Sequence, residues 1–292
     1  MPRPTWVVIQ SQTTPSSAIG KPMKRPSSCN RGREGARYRH PDGLIRLQGL
    51  LRALFRLPYR QLEDFTGALA RWEPRLRAPG YSTTCLRVNG LEPMPEPRID
   101  PGRPVTIAVD ASGIKVAGRG EWIRTRWRRR RGFLKTRMAV DIKTRQIVSM
   151  EVTDEGTGDG GMLEPLVEQA EKRCKVVKAL ADGAYDSRSG FTYLEERGIE
   201  AAIRVRRSSS TRARGCPSRR RVAVEYLRDP KAWRWRVGYG LRWMAETAFS
   251  VFKRLFGEYV MARSISGMVR GMVLKASLYN LLTSLNSTPI AA

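Results

Sequence analysis

Apolar residues change their spacing at the Pro- and Gly-rich stretch MPEPRIDPGRP, and no single periodic fold accommodates both patterns. Before it, GLIRLQGLLRALFRL repeats apolar residues at helical spacing. YRQLEDFTGALARW follows Pro58, and PGYSTTCLRVNGL follows a turn at Pro79-Gly80. After it, VTIAVD places Val105, Ile107 and Val109 on one face of a strand. We therefore expect a small helical domain over 42–92, resembling a helix-turn-helix, a linker over 93–103, an α/β domain over 104–285 and a tail over 286–292.

Within the α/β part, KTRMAVDI and QIVSMEVT read as an antiparallel pair joined at KTR. GGMLEPLVEQAEKR is an amphipathic helix, VVKALAD a short strand ending at Asp182, SGFTYLEERG a helix capped by Gly198, and IEAAIRV another strand. VGYGLRWMAETAFSVFKRLFGEYV reads as one long helix. Strands first, then alternating helix and strand, then a helical C-terminus, predict a mixed sheet flanked by helices.

Charge limits the partners. The chain has 54 Lys+Arg against 27 Asp+Glu, a formal charge of +27, which points to a polyanion and above all to nucleic acid. Residues 1–41 hold eight Lys/Arg with Glu34 as the sole acid, among many Ser, Pro and Gly, and read as a flexible basic arm. Two further basic stretches read as loops that track phosphates, 119–137 with Arg128, Arg129 and Arg130, and 204–236 with Arg204, Arg206 and Arg207. Trp233 and Trp235 stand at the end of the second stretch, just before the long helix expected from Val237, as stacking platforms or as core. Cys29, Cys85, Cys174 and Cys216 form no C-x-x-C pair, and His40 is the single histidine, so free thiols and no structural zinc are expected. No segment reads as a signal peptide or membrane span, which predicts a cytoplasmic, nucleoid-associated protein.

Asp110 and Asp182 each close an apolar strand, the first before the turn residues Ala111, Ser112 and Gly113. Parallel neighbouring strands would bring both acids to one crevice at their carboxyl ends. Either aspartate alone could simply start a turn. Asp186, in the same short motif, reads as a helix N-cap. On a helical wheel Tyr239, Arg242, Glu246 and Lys253 lie within about 60° of one another. Geometry leaves open whether Glu246 is half of an i,i+4 pair with Arg242 or a carboxylate placed for chemistry.

Those four positions, spaced Y-x2-R-x3-E-x6-K, resemble the C-terminal signature of insertion-sequence transposases of the DDE class, whose catalytic domain is ribonuclease-H-like. IAVDASGIK resembles their first-aspartate strand, LADGAYDS their second motif D-x-(G/A)-(Y/F), and PGYSTTCLR their N-terminal region. The resemblance implies that Asp110, Asp182 and Glu246 are catalytic and hold two divalent ions, Mg²⁺ with Mn²⁺ as a substitute. It also implies DNA contacts at Tyr239, Arg242 and Lys253, and partners that are the terminal inverted repeats, target DNA and a second copy in a synaptic homodimer. Three carboxylates suit hard cations, and with His40 in the arm a histidine base is excluded, so metal activation of the nucleophile is expected. The readings from other classes are a non-catalytic helix-turn-helix regulator and a ribonuclease-H-like nuclease without strand transfer.

Overall fold

A computed structural model describes residues 37–73, 76–90, 99–116, 133–154, 156–206, 208–212, 215–262 and 264–286, with single positions 30, 32, 34, 35 and 97. Most of the expected arm, and Arg128, Arg129, Arg130 and Arg207, lie outside the described residues. The chain divides into two units, residues 1–92 with 263–270, and residues 93–262 with 271–292.

The first unit contains α1 (Asp42–Phe55), α2 (Tyr59–Ala70) and α3 (Tyr81–Gly90). The buried faces of α1 and α2 follow the helical spacing of Leu44, Ile45, Gln48 and of Leu62, Thr66. Gln48 joins all three helices, donating to Thr66 Oγ1 at 3.2 Å and accepting from Thr84 Oγ1 at 2.7 Å, so its buried amide is satisfied at both ends. The carboxylate of Glu63 accepts the Tyr81 amide at 2.7 Å and caps the start of α3. Arg87 donates to the His40 carbonyl and to Asp42, and its guanidinium lies 4.1 Å from the Tyr38 ring centre, so the chain just ahead of α1 is held against α3.

The second unit is a mixed α/β structure. Its strands are β1 (Pro104–Val116), β2 (Phe133–Asp141), β3 (Ile147–Asp154), β4 (Lys175–Ala181), β5 (Glu200–Ile203) and β6 (Tyr259–Val260). Their order is β3-β2-β1-β4-β5, with β6 beside the end of β1. β1, β2 and β3 pair antiparallel, whereas β4 and β5 join parallel through the helices α4 (Leu163–Glu171) and α5 (Arg188–Glu196). After β5 come α6 (Pro217–Arg228), α7 (Pro230–Val237), α8 (Trp243–Phe256) and α9 (Ile265–Asn286).

Side chains alternate across a strand, so Asp110 and Ala111 face opposite sides of the sheet. α8 covers β1 and β2 with Ala245, Ala248, Phe249, Phe252 and Phe256. On the Ala111 side, α4 packs on β3, β2 and β4, and its Gln169 donates to Glu151, which lies in register with Arg137 and Ala111. Asn280 of α9 exchanges two hydrogen bonds with the Ile147 backbone, 2.7 and 2.8 Å, and so caps part of the exposed edge of β3. Among the described residues no helix is long and apolar enough to cross a membrane. Cys85, Cys174 and Cys216 are free.

Several local expectations are corrected. Asp110 does not end β1: Ala111, Ser112 and Gly113 remain extended because Arg137, Thr136 and Lys135 of β2 pair with them, so the sheet overrides their turn preference. The basic stretch 119–137 is not loop throughout, since Phe133–Arg137 belong to β2. The basic stretch 204–236 is largely α6 and α7, each begun by a proline at its first helical position, and Asp229 caps α7 through the Lys231 and Ala232 amides. The long helix expected over 237–260 is broken. Gly238, at φ +67°, ends α7, a 3-10 turn covers Tyr239–Arg242, and α8 then runs only to Phe256. Ser187 rather than Asp186 caps α5, accepting the Gly190 amide at 3.2 Å.

Candidate active site

Asp182 follows β4 directly, and its carboxylate accepts the Ala184 amide at 2.9 Å, which closes the 3-10 turn Gly183–Tyr185. Gly183 sits at a close approach: a Cβ there would stand 3.3 Å from the Arg204 carbonyl oxygen, where the chain leaves β5, a tight contact that a larger residue would push apart. Because β1 and β4 are parallel neighbours, this turn lies beside the middle of β1, where Asp110 projects. The expectation that the two strands pair in parallel is met, although Asp110 reaches the crevice from within its strand.

Arg242 links the third acid to the first. Its guanidinium is paired with Glu246, one helical turn on, and stands 3.5 Å from Asp110 Oδ1. Asp110 feels both Glu246 and Asp182 electrostatically. Burial raises the Asp110 carboxyl above its ordinary value, the Ala111 amide and Arg242 pull it down, and Glu246 and Asp182 push it up further. Burial works against the charge on Arg242, but Tyr239, Glu246, Asp110 and Asp182 outweigh it and hold the guanidinium protonated. Tyr239 is buried against Trp233, with ring centres 5.3 Å apart, and burial raises its phenol against the pull of Arg242 and Arg204.

The structure thus gathers Asp110, Asp182, Glu246, Arg242, Tyr239 and Arg204. Lys253 stands two turns beyond Glu246, about 10 Å along the helix, and lies 3.9 Å from Glu258. Arg206 is exposed, its amide 3.5 Å from Asp186 Oδ2. Trp233 is not a stacking platform, because it is 1% exposed and packs edge-on against Tyr226 at 5.1 Å. Trp235 is 87% exposed. Two residues on a helix diverge by about 200°, so one tryptophan enters the core and the other faces water.

Among the described residues no three acidic, histidine or cysteine side chains stand close enough to hold an ion jointly. Arg242 provides the positive charge between Asp110 and Glu246. The donor set nonetheless fits a hard divalent cation: the three groups are carboxylates, and Glu246 and Asp182 make ionised Asp110 less favourable in a way that a cation would relieve.

Sequence reasoning missed the ion pairs Arg137–Asp159 and Arg219–Asp186. Arg137 was counted with a basic loop, and nothing in its neighbours distinguishes a buried arginine from a solvated one.

A chain in the cryo-EM structure of the simian T-cell lymphotropic virus intasome in complex with PP2A regulatory subunit B56 gamma is similar at 11% identity and a TM-score of 0.25. The match covers 63% of this chain and 67% of that one, and is too slight to bear on the fold. Two family models, both described as "Transposase DDE domain", match residues 101–281 and residues 17–119. The first spans most of the chain, including the sheet, all three carboxylates and Arg242, and the chain therefore belongs to the family of transposase DDE domains.

Proposed function

We propose that this chain is a DNA transposase with a ribonuclease-H-like catalytic domain. It binds the terminal inverted repeats of an insertion element, cleaves phosphodiester bonds there and joins the freed 3'-OH to target DNA. The observation that carries this reading is the pairing of Arg242 with both Asp110 and Glu246, with Asp182 within electrostatic reach of Asp110 and Arg242. An antiparallel β1–β3 meander continued by two parallel strands supports the fold reading.

Asp110, Asp182 and Glu246 would hold Mg²⁺, with Mn²⁺ able to substitute. Two such ions supply an activated attacking oxygen and a counter-charge for the leaving oxygen. The remaining work belongs to the chain. Arg242 holds its fork between two carboxylates, and a phosphate with its own counter-ions would release that fork to bind phosphate oxygens in bidentate fashion. Tyr239, wedged against Trp233, sets the direction of the turn from which Arg242 extends. Lys253, two turns along α8, is placed for a phosphate further down the strand. Arg204, Arg206 and Arg207, together with Arg128, Arg129 and Arg130, supply the sequence-independent part of DNA binding. The exposed Trp235 offers a face for an unpaired base. Synapsis of two ends calls for a homodimer on DNA, in the cytoplasm at the nucleoid.

The test supplies end-bearing DNA, pre-cleaved ends and a target plasmid with Mg²⁺. Wild type is expected to join ends to the target, and Asp110→Asn to keep end binding while cleavage falls by at least about a thousandfold. Cleavage without joined product would leave the nuclease reading, end binding with neither cleavage nor joining would leave the regulator, and cleavage untouched by Asp110→Asn would remove Asp110 from the catalytic account.

A further inference from the structure

Two ion pairs, each with one buried and one partly exposed partner, flank the turn that carries Asp182, and neither lies in the Y-R-E-K signature. On one side Arg219 of α6 donates through Nε to Asp186 Oδ1 at 2.6 Å and through Nη2 to Oδ2 at 2.9 Å. The Asp186 side chain is 2% exposed, and the Ser209 hydroxyl adds a contact to Oδ2 at 3.2 Å. On the other side Arg137, 0% exposed, donates through Nε to Asp159 Oδ1 and through Nη1 to Thr153 Oγ1, both at 2.7 Å, and to the Thr157 carbonyl. The segment so held reaches the Asp182 turn: Ser187 Oγ donates to the Gly160 carbonyl at 3.0 Å, and a Cβ on Gly160 would lie 3.7 Å from the Ala184 carbonyl oxygen. Between the pairs lies Tyr185, 1% exposed.

A buried ion pair is a poor way to stabilise a fold, because taking two charges out of water offsets most of their attraction, and an apolar pair of equal volume does as well or better. What an apolar pair lacks is direction. A bidentate arginine fork fixes both the distance and the plane of its carboxylate. Asp186 is four residues past Asp182 and joined to it by one tight turn, so a fork on Asp186 constrains where the Asp182 carboxylate stands relative to Asp110. Arg219 also differs from the arginines beside it. Arg220 donates to the Thr211 carbonyl and Arg221 to Glu195, both at exposed positions, while Arg219 turns inward.

We infer that Arg219–Asp186 is a positioning pair, which holds the Asp182 turn in place beside Asp110 and contributes little to stability. The inference rests on the transposase reading for the role of Asp182. The experiment replaces one pair by apolar residues, Asp186→Leu with Arg219→Met, in the full chain. It measures thermal unfolding, Mn²⁺ affinity by electron paramagnetic resonance, and end cleavage. The double variant is expected to melt at or above the wild-type temperature, to bind Mn²⁺ about tenfold more weakly, and to cleave at least about tenfold more slowly. A folded double variant with wild-type Mn²⁺ affinity overturns the inference. Should it fail to fold, Arg219→Lys keeps the charge and loses the fork, and wild-type Mn²⁺ affinity there is equally fatal. Asp182→Asn separates the two levels. If it binds Mn²⁺ as wild type does, the metal reading fails and the inference with it. If it loses Mn²⁺ while the pair variants do not, the pair alone is wrongly assigned.

Discussion

Asp110 sits one residue beyond buried Val109 on the central strand, and its environment weakens the fold when the carboxyl is ionised. Burial raises its carboxyl, and the nearby acids add to that rise. A folded pKa above the unfolded one means that the linked stability is complete below the ordinary carboxylate value and is lost as pH rises through the folded value. The ionised group therefore destabilises the protein under neutral and alkaline conditions. Asp110→Asn is expected to melt a few degrees higher than wild type at about pH 8 and to lose that advantage at about pH 2.5, well below the ordinary carboxylate value, where wild-type Asp110 is protonated in both states. Melting curves at the two pH values check this, and a variant less stable at the higher pH would show that Arg242 outweighs burial. At this scale the sequence named Asp110, Asp182 and Glu246, yet it could not tell whether Arg242 was paired, and the structure pairs it with both Asp110 and Glu246.

At the scale of elements, the break at Gly238 decides how the signature residues meet. A continuous helix from Val237 would give Tyr239 the same rotation per residue as the rest. Instead Gly238 takes a left-handed conformation, and the 3-10 turn after it seats Tyr239 against Trp233 of α7. Arg242 adjoins α8 directly, so its i,i+4 relation to Glu246 survives, which is why the helical wheel still placed that pair correctly. A side chain in the left-handed region costs about 1–2 kcal/mol, and Gly238→Ala is expected to lose that much in denaturant unfolding. Unchanged stability would mean that the turn rearranges freely. Two glycines around Tyr239 and prolines at residues 217 and 230 were visible signals for these boundaries. The arginine density of 204–236 obscured them, since α6 buries little beyond Ser218, Ala223 and Tyr226 and so lacks a wide apolar stripe.

For the molecule as a whole, the charge of +27 makes salt the sharpest probe of how DNA is held. A protein that neutralises six or more phosphates loses about a thousandfold or more in affinity between roughly 50 and 200 mM salt. Binding to end DNA is expected to fall at least that steeply, as measured by fluorescence anisotropy across a salt series. A nearly flat dependence would remove the basic segments from the DNA-binding account.

What the sequence determined by itself was local and periodic: the switch from helical to strand spacing, the strands leading to Asp182 and through Asp110, the Gly198 cap, and the i,i+4 relation of Arg242 to Glu246. These survive because they depend on near neighbours along the chain or on a spacing that a strand or helix must respect. Only the tertiary structure decided that β1 runs on past Asp110, that Trp233 is core while Trp235 faces water, and that Arg137 and Arg219 are buried partners of Asp159 and Asp186. Each of those outcomes is set by a residue more than ten positions away or by which side of a helix meets a neighbour, and the energy of burying a charge or extending a turn depends on the partner that is there to receive it.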